Sequence, residues 1–154
     1  MKKKLVFSAI LVCLLALGLM FVGCSSDSTS LGEYSLAWGI FVPGTQSIQE
    51  VVAAQGWSIT ETDGGDAGYA TGATADAIYK YCTSGNVSFD DGGDFDGSFE
   101  ECVNYTKDGI GVPPGLKAAM ASNKAKAPIA GVFKVDPSFP VDPNSHVVFY
   151  ITKN

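Results

Sequence analysis

The segments YSLAWGIFV at residues 34–42, SIQEVVAAQG at 47–56 and WSITET at 57–62 decide the fold. In the first, Leu36, Trp38, Ile40 and Val42 alternate with Ser35, Ala37, Gly39 and Phe41. A period of two puts these sets on opposite faces of a strand. One set is large and apolar and the other mostly small, which suits a strand covered on both sides. Pro43-Gly44 ends it. Ser47 and Glu50 then have the spacing of a capping box, in which each side chain satisfies a backbone N–H of the other. Ile48, Val51, Val52 and Gln55 follow at helical intervals, and Gly56 supplies a stop. Trp57 to Thr62 alternates again as a half-exposed strand. Strand, helix and strand in succession predict a βαβ unit, with a parallel pair and a right-handed crossover.

Downstream, Asp63 to Gly72 reads as a glycine loop, and Ala73 to Ser84 as a second helix carrying Ile78, Tyr81 and Cys82 on one stripe. Asn86 to Asp90 is a short strand candidate, followed by the acidic run DDGGDFDG. Ser98 and Glu101 repeat the capping-box spacing ahead of Phe99, Cys102 and Val103, so a third helix runs toward Gly109. Pro113-Pro114 opens a fourth helix through Leu116 and Met120. Ile129 to Val135 and His146 to Thr152 read as strands. The three prolines between them predict a hairpin with a long connection. The expected fold is α+β: one small domain, residues 34–154, with a mixed sheet of four to five strands and about four short helices.

Cys82 and Cys102 fall on the apolar stripes of two predicted helices. In an exported domain such a pair is expected to close into a disulfide, contributing ~3 kcal/mol in the chain-entropy treatment. The alternative is two buried thiols packing as small hydrophobes.

Asp90, Asp94 and Asp96 invite a calcium reading, because clustered carboxylates on a flexible loop suit a hard cation. The EF-hand register fails: with Gly97 as the sixth loop residue, the first is Gly92 and the twelfth Val103. Caps for the third helix are the competing role. The 63–72 loop follows a strand and precedes a helix, where phosphates bind. Yet Asp63 stands where a dinucleotide fingerprint needs glycine, no Gly-Lys-Ser/Thr is present, and Asp63 and Asp66 would repel an anion. His146 is the only histidine and starts a strand. A zinc site lacks partners for it, and no nucleophile-elbow motif supports a triad through it. Tyr69, Tyr79, Tyr105 and Phe139 are the aromatics expected at the surface.

Upstream, the chain opens MKKKLVFSAILVCLLALGLMFVGC. Three lysines precede an apolar run from Leu5 to Met20, the pattern of a secretory signal. Phe21-Val22-Gly23-Cys24 resembles the lipobox of bacterial lipoproteins, with Phe21 where Leu is commonest. The resemblance covers residues 1–24 alone. It implies cleavage before Cys24, a diacylglyceryl thioether on that cysteine, and attachment to a membrane of the bacterial cell envelope through lipid. A transmembrane anchor over Leu5–Val22 is the competing reading. Residues 24–33, polar and without periodicity, form a tether.

The chain has 154 residues, and all ten of its cations are lysines. Removing the first 23 residues leaves 131, in which seven lysines face sixteen carboxylates, a net charge of −9. That balance argues against a nucleic-acid partner, which would want a basic patch. Without arginine there is no bidentate fork for phosphate or carboxylate. The expectation is an envelope-anchored, non-catalytic binding or interaction module without a cofactor, contacting the membrane through its lipid and another envelope protein or a small ligand. A calcium-dependent adhesive module, and a small hydrolase using His146 or an Asp pair, are the alternatives.

Overall fold

Tyr34–Val42 forms β1, the nine-residue strand at the heart of the fold. The computed structural model describes residues 32–42, 46–84 and 88–154. The leader, Cys24, the tether up to residue 31, the Pro43-Gly44 turn and Gly85 lie outside the described residues. Gly32–Asn154 is one compact unit. After β1 come α1 (Ile48–Ala54), β2 (Thr60–Thr62), β3 (Ala67–Thr71), α2 (Gly72–Thr83), β4 (Ser88–Gly97), α3 (Phe99–Asn104), α4 (Pro114–Ser122), β5 (Ile129–Lys134) and β6 (His146–Lys153). Single 3-10 turns occupy Asp63–Gly65 and Lys124–Lys126.

The six strands form one sheet in the order β2-β3-β5-β6-β1-β4, and every pairing is antiparallel. This corrects the expected mixed sheet of four to five strands. β1 and β2 do run in the same direction with α1 between them, but three strands separate them. Both flanks of β1 are taken by long ladders, with β6 from Tyr34↔Lys153 to Phe41↔His146 and with β4 along its whole length. A three-residue β2 could satisfy far fewer backbone groups there. The hairpin of β5 and β6 with its long connection forms as expected.

Helices cover both faces of the sheet. On one, Leu36, Trp38, Phe133, Phe149 and Ile151 pack against α3 and α4 through Phe99, Cys102, Val103, Leu116 and Met120. On the other, Phe41, Ala70, Ala130, Val132 and Val148 pack against α1 and α2 through Ile48, Val51, Val52, Ala75, Ile78 and Cys82. Full burial of each large apolar side chain contributes ~1.5–3 kcal/mol. Both predicted capping boxes are present: Ser47 with Glu50 starts α1, and Ser98 with Glu101 starts α3. α3 ends at Asn104, short of the predicted Gly109.

Two strands contradict their sequence reading. Ala67–Thr71 is an inner strand, where a loop was expected. The acidic run lies in β4, an edge strand with a bulge: the register slips between Trp38 and Gly39, leaving Gly92 without a partner. The bulge has a packing cause. A Cβ on Gly92 would sit 2.5 Å from three ring atoms of Trp38, which is almost fully buried. The extra residue also turns β4 over. Phe95 pairs with Leu36 and packs on the α3/α4 core, whereas Phe89 pairs with Phe41 and packs on the α1/α2 core. Six residues apart, they would otherwise share a face.

Candidate functional site

The chain enters the unit at the Tyr34 end of β1, where Asn154 clasps it: its backbone N–H donates to Glu33 O at 2.9 Å and its side-chain amide to Gly32 O at 2.6 Å. The opposite end of the sheet carries two concave surfaces. There β5 ends at Lys134, β6 starts at His146, and the Lys134 N–H donates to Asp66 O at 2.9 Å, just before β3. Two depressions flank this seam, one on each face of the sheet. One, about 460 Å³, is walled by Ile110, Phe133, Val135 and Phe139 with Asp63 and Asp136 at its margin. The other, about 260 Å³, is lined by Ser47, Gln49, Gly65, Asn144 and His146. Asp66 and Lys134 line both.

His146 is 4% exposed. By strand alternation it shares a sheet face with its cross-strand partners Lys134 and Phe41, beneath the start of α1. Its Nδ1 lies 3.0 Å from Asn144 O. A carbonyl only accepts, so Nδ1 carries the proton and Nε2 keeps its lone pair. Burial lowers the pKa of His146, an effect the Asn144 bond opposes and the Lys134 charge reinforces. The ring is a fixed, neutral acceptor. No hydrogen bond joins it to a serine or carboxylate among the described residues, which leaves the expected triad alternative without a nucleophile.

The remaining charges have distinct roles. Asp63 accepts from Gly115 N at 2.8 Å and Leu116 N at 2.7 Å, capping α4 from 52 residues away. Asp136 accepts from Ser138 N at 2.8 Å, which holds its carboxyl below the usual range. Asp66 and Lys134 are both exposed, and neither side chain has a hydrogen bond or ion pair among the described residues. Sequence reading singled out His146, Asp63 and Asp66 but missed Lys134, which belongs to no motif. Its one signal was position, a cation closing an otherwise apolar strand.

Other expected sites separate. Cys82 and Cys102 are free, buried thiols in cores on opposite faces of the sheet, so the expected disulfide does not form. Both helical stripes were read rightly, but they face the sheet from opposite sides. Burial pushes the thiols up to about 12 and about 11. Asp90, Asp94 and Asp96 do not converge: Asp90 pairs with Ile40, Asp94 with Ala37 and Asp96 with Ser35, and the bulge puts Asp90 on the opposite face from the other two. No group of three metal-ligating side chains occurs among the described residues. Tyr69, Tyr79, Tyr105 and Phe139 are half-buried. Tyr79 stacks on Tyr150 at 4.3 Å beside another depression, where Tyr150 donates to Asp76 and Ser35 to Asp96, so those polar groups are engaged with each other. No family model, curated protein or solved structure matches this chain.

Proposed function

We propose that this chain is a lipid-anchored envelope protein, tethered through Cys24, whose domain is a non-catalytic module that binds a small ligand. One observation supports the binding half: two depressions at the end of the sheet away from Tyr34 share a cation, Lys134, and an anion, Asp66, whose side chains have no partner among the described residues. From Tyr34 to Phe41, the partner of His146, the sheet spans about 23 Å at the usual rise per residue. Mixed apolar and polar walls suit an amphipathic molecule.

Two measurements test the reading. Metabolic labelling with palmitate should mark the wild-type chain, and Cys24→Ser should abolish the label and stop processing. Unchanged processing sinks the anchor. Hydrogen exchange on the purified chain, run against a panel of amino acids, short peptides, disaccharides and nucleosides, should show protection gathered at Asp66, Lys134, Phe139 and His146. Protection gathered elsewhere, or turnover of any panel member, refutes the binding assignment.

A further inference from the structure

Resting on the binding reading and confined to the smaller depression, we infer that this depression is a subsite for a neutral sugar, a single ring carrying adjacent hydroxyls. The inference starts from His146. The residue is 4% exposed, and its Nδ1 is taken by Asn144 O at 3.0 Å. Nε2 is therefore an acceptor on a ring held almost wholly out of water, which lines the depression and has no second partner among the described residues. An acceptor so placed costs stability until something in the depression donates to it. Whatever group reaches Nε2 must bring an N–H or O–H, which excludes the oxygens of a carboxylate.

The neighbours in the same depression narrow the class. Ser47 Oγ accepts from Glu50 N at 3.2 Å, so its O–H is left to donate. Gln49 gives one amide N–H to Gly65 O at 3.3 Å and keeps its other N–H and its carbonyl oxygen. Both side chains line the depression with His146. The guest must thus donate to Nε2 and accept from Ser47, while Gln49 takes either role. An ammonium only donates and a carboxylate only accepts, whereas a hydroxyl does both. Several hydroxyls on one rigid ring meet several of these groups at little ordering cost. No apolar side chain lines the depression, and Asp66 and Lys134 bring one charge of each sign, so the lining as a whole favours a neutral guest. Its volume of about 260 Å³ suits one sugar ring.

The test uses the ring itself. His146 is the only histidine, so nitrogen-15 histidine labelling of the full chain, held in a sugar-free detergent at pH 8, gives one pair of ring signals. The free protein should show a protonated Nδ1 and a bare Nε2. The probes are glucose, galactose, mannose and N-acetylglucosamine, beside ethylammonium (donor only), acetate (acceptor only) and tetrahydropyran (the ring without hydroxyls). At least one sugar should move the Nε2 signal saturably toward the protonated range, by about 50 mM at most for a site of millimolar affinity. The three controls should leave it in place. Gln49→Met should weaken that sugar about two- to tenfold, the loss of one neutral hydrogen bond. Phe139→Ala, which alters the depression on the other face, should not change it. Matched melting temperatures would confirm that both variants fold. A protonated Nε2 in the free protein overturns the inference, as do silence from all four sugars and an equal response to any control. A sugar response lost in Phe139→Ala and kept in Gln49→Met also overturns it. If the sugars fail while an amino acid, peptide or nucleoside still protects the segment around His146 from hydrogen exchange, the sugar alone is lost. If no member of that panel protects it, the binding reading fails as well.

Discussion

Gly115 should reverse the usual effect of replacing a helical glycine. It is the second residue of α4, and an alanine inside a helix ordinarily stabilises by up to ~1 kcal/mol relative to glycine. Here a Cβ would stand 2.6 Å from Asp63 Oδ1 and 2.9 Å from its Cγ. The carboxylate cannot swing aside cheaply, because both its oxygens accept from the backbone of α4, at 2.8 and 2.7 Å. Asp63 also sits at φ +52°, a left-handed conformation that leaves its backbone little latitude. Losing a charged cap of this kind costs about 2–3 kcal/mol. Gly115→Ala should therefore destabilise by a net ~1–2 kcal/mol, the cap loss outweighing the propensity gain. In an Asp63→Gly background, where the cap is already gone and glycine suits the positive φ, the same alanine should stabilise by ~0.5–1 kcal/mol. Urea unfolding of residues 25–154 in all four combinations reads the cycle, and ~2 kcal/mol moves the midpoint by roughly 1 M at a typical slope for this size. An alanine that stabilises the wild-type chain refutes the reasoning. So does an effect that agrees in the two backgrounds within ~0.5 kcal/mol.

Gly92→Ala drives a Cβ into the Trp38 ring and should cost ~1–3 kcal/mol as overpacking, with altered tryptophan fluorescence; a neutral effect would show that the bulge has another cause. The pH dependence of stability should carry a His146 signature. Above pH 6.5 the ring is neutral folded and unfolded; as pH falls below 6.5 the unfolded chain takes the proton first, so stability drops until the folded ring protonates too. His146→Gln should remove that segment of the curve, and an unchanged curve assigns it to another group. Cys82 and Cys102 should resist a thiol reagent at pH 8 in the folded chain and both react on unfolding, without prior reduction; a gel shift on reduction would reinstate the bridge.

What was legible in the sequence was local. The two capping boxes and the β5–β6 hairpin depend on residues a few positions apart and on patterns of one period. β3 was hidden because AGYAT offers small residues where a strand signal wants large ones, and the reason is tertiary: helices press on this inner strand from both faces. β4 was hidden because an edge strand guards its open side with charge and a bulge, the features that also mark loops. Cys82 and Cys102 show the same limit. Each stripe was read correctly, but which face of the sheet a helix covers is set by the path of the whole chain.

The cleft was the least legible part, and its chemistry follows from the same nonlocality. Asp66 and Lys134 are 68 residues apart and meet because the antiparallel β3–β5 ladder, Ala67↔Phe133 onward, extends by one backbone bond from Lys134 to Asp66. His146 joins them because the next ladder pairs it with Lys134. Three residues that no motif links thus become neighbours through two strand registers. A slip of one residue in either register would turn Lys134 or His146 to the opposite face. The buried alternation of Ile129–Lys134 and His146–Lys153 forbids that slip, since it would send Val132 and Val148, or Phe133 and Phe149, into the wrong cores. The packing that makes the sheet is therefore what holds the charges at this end of it in place.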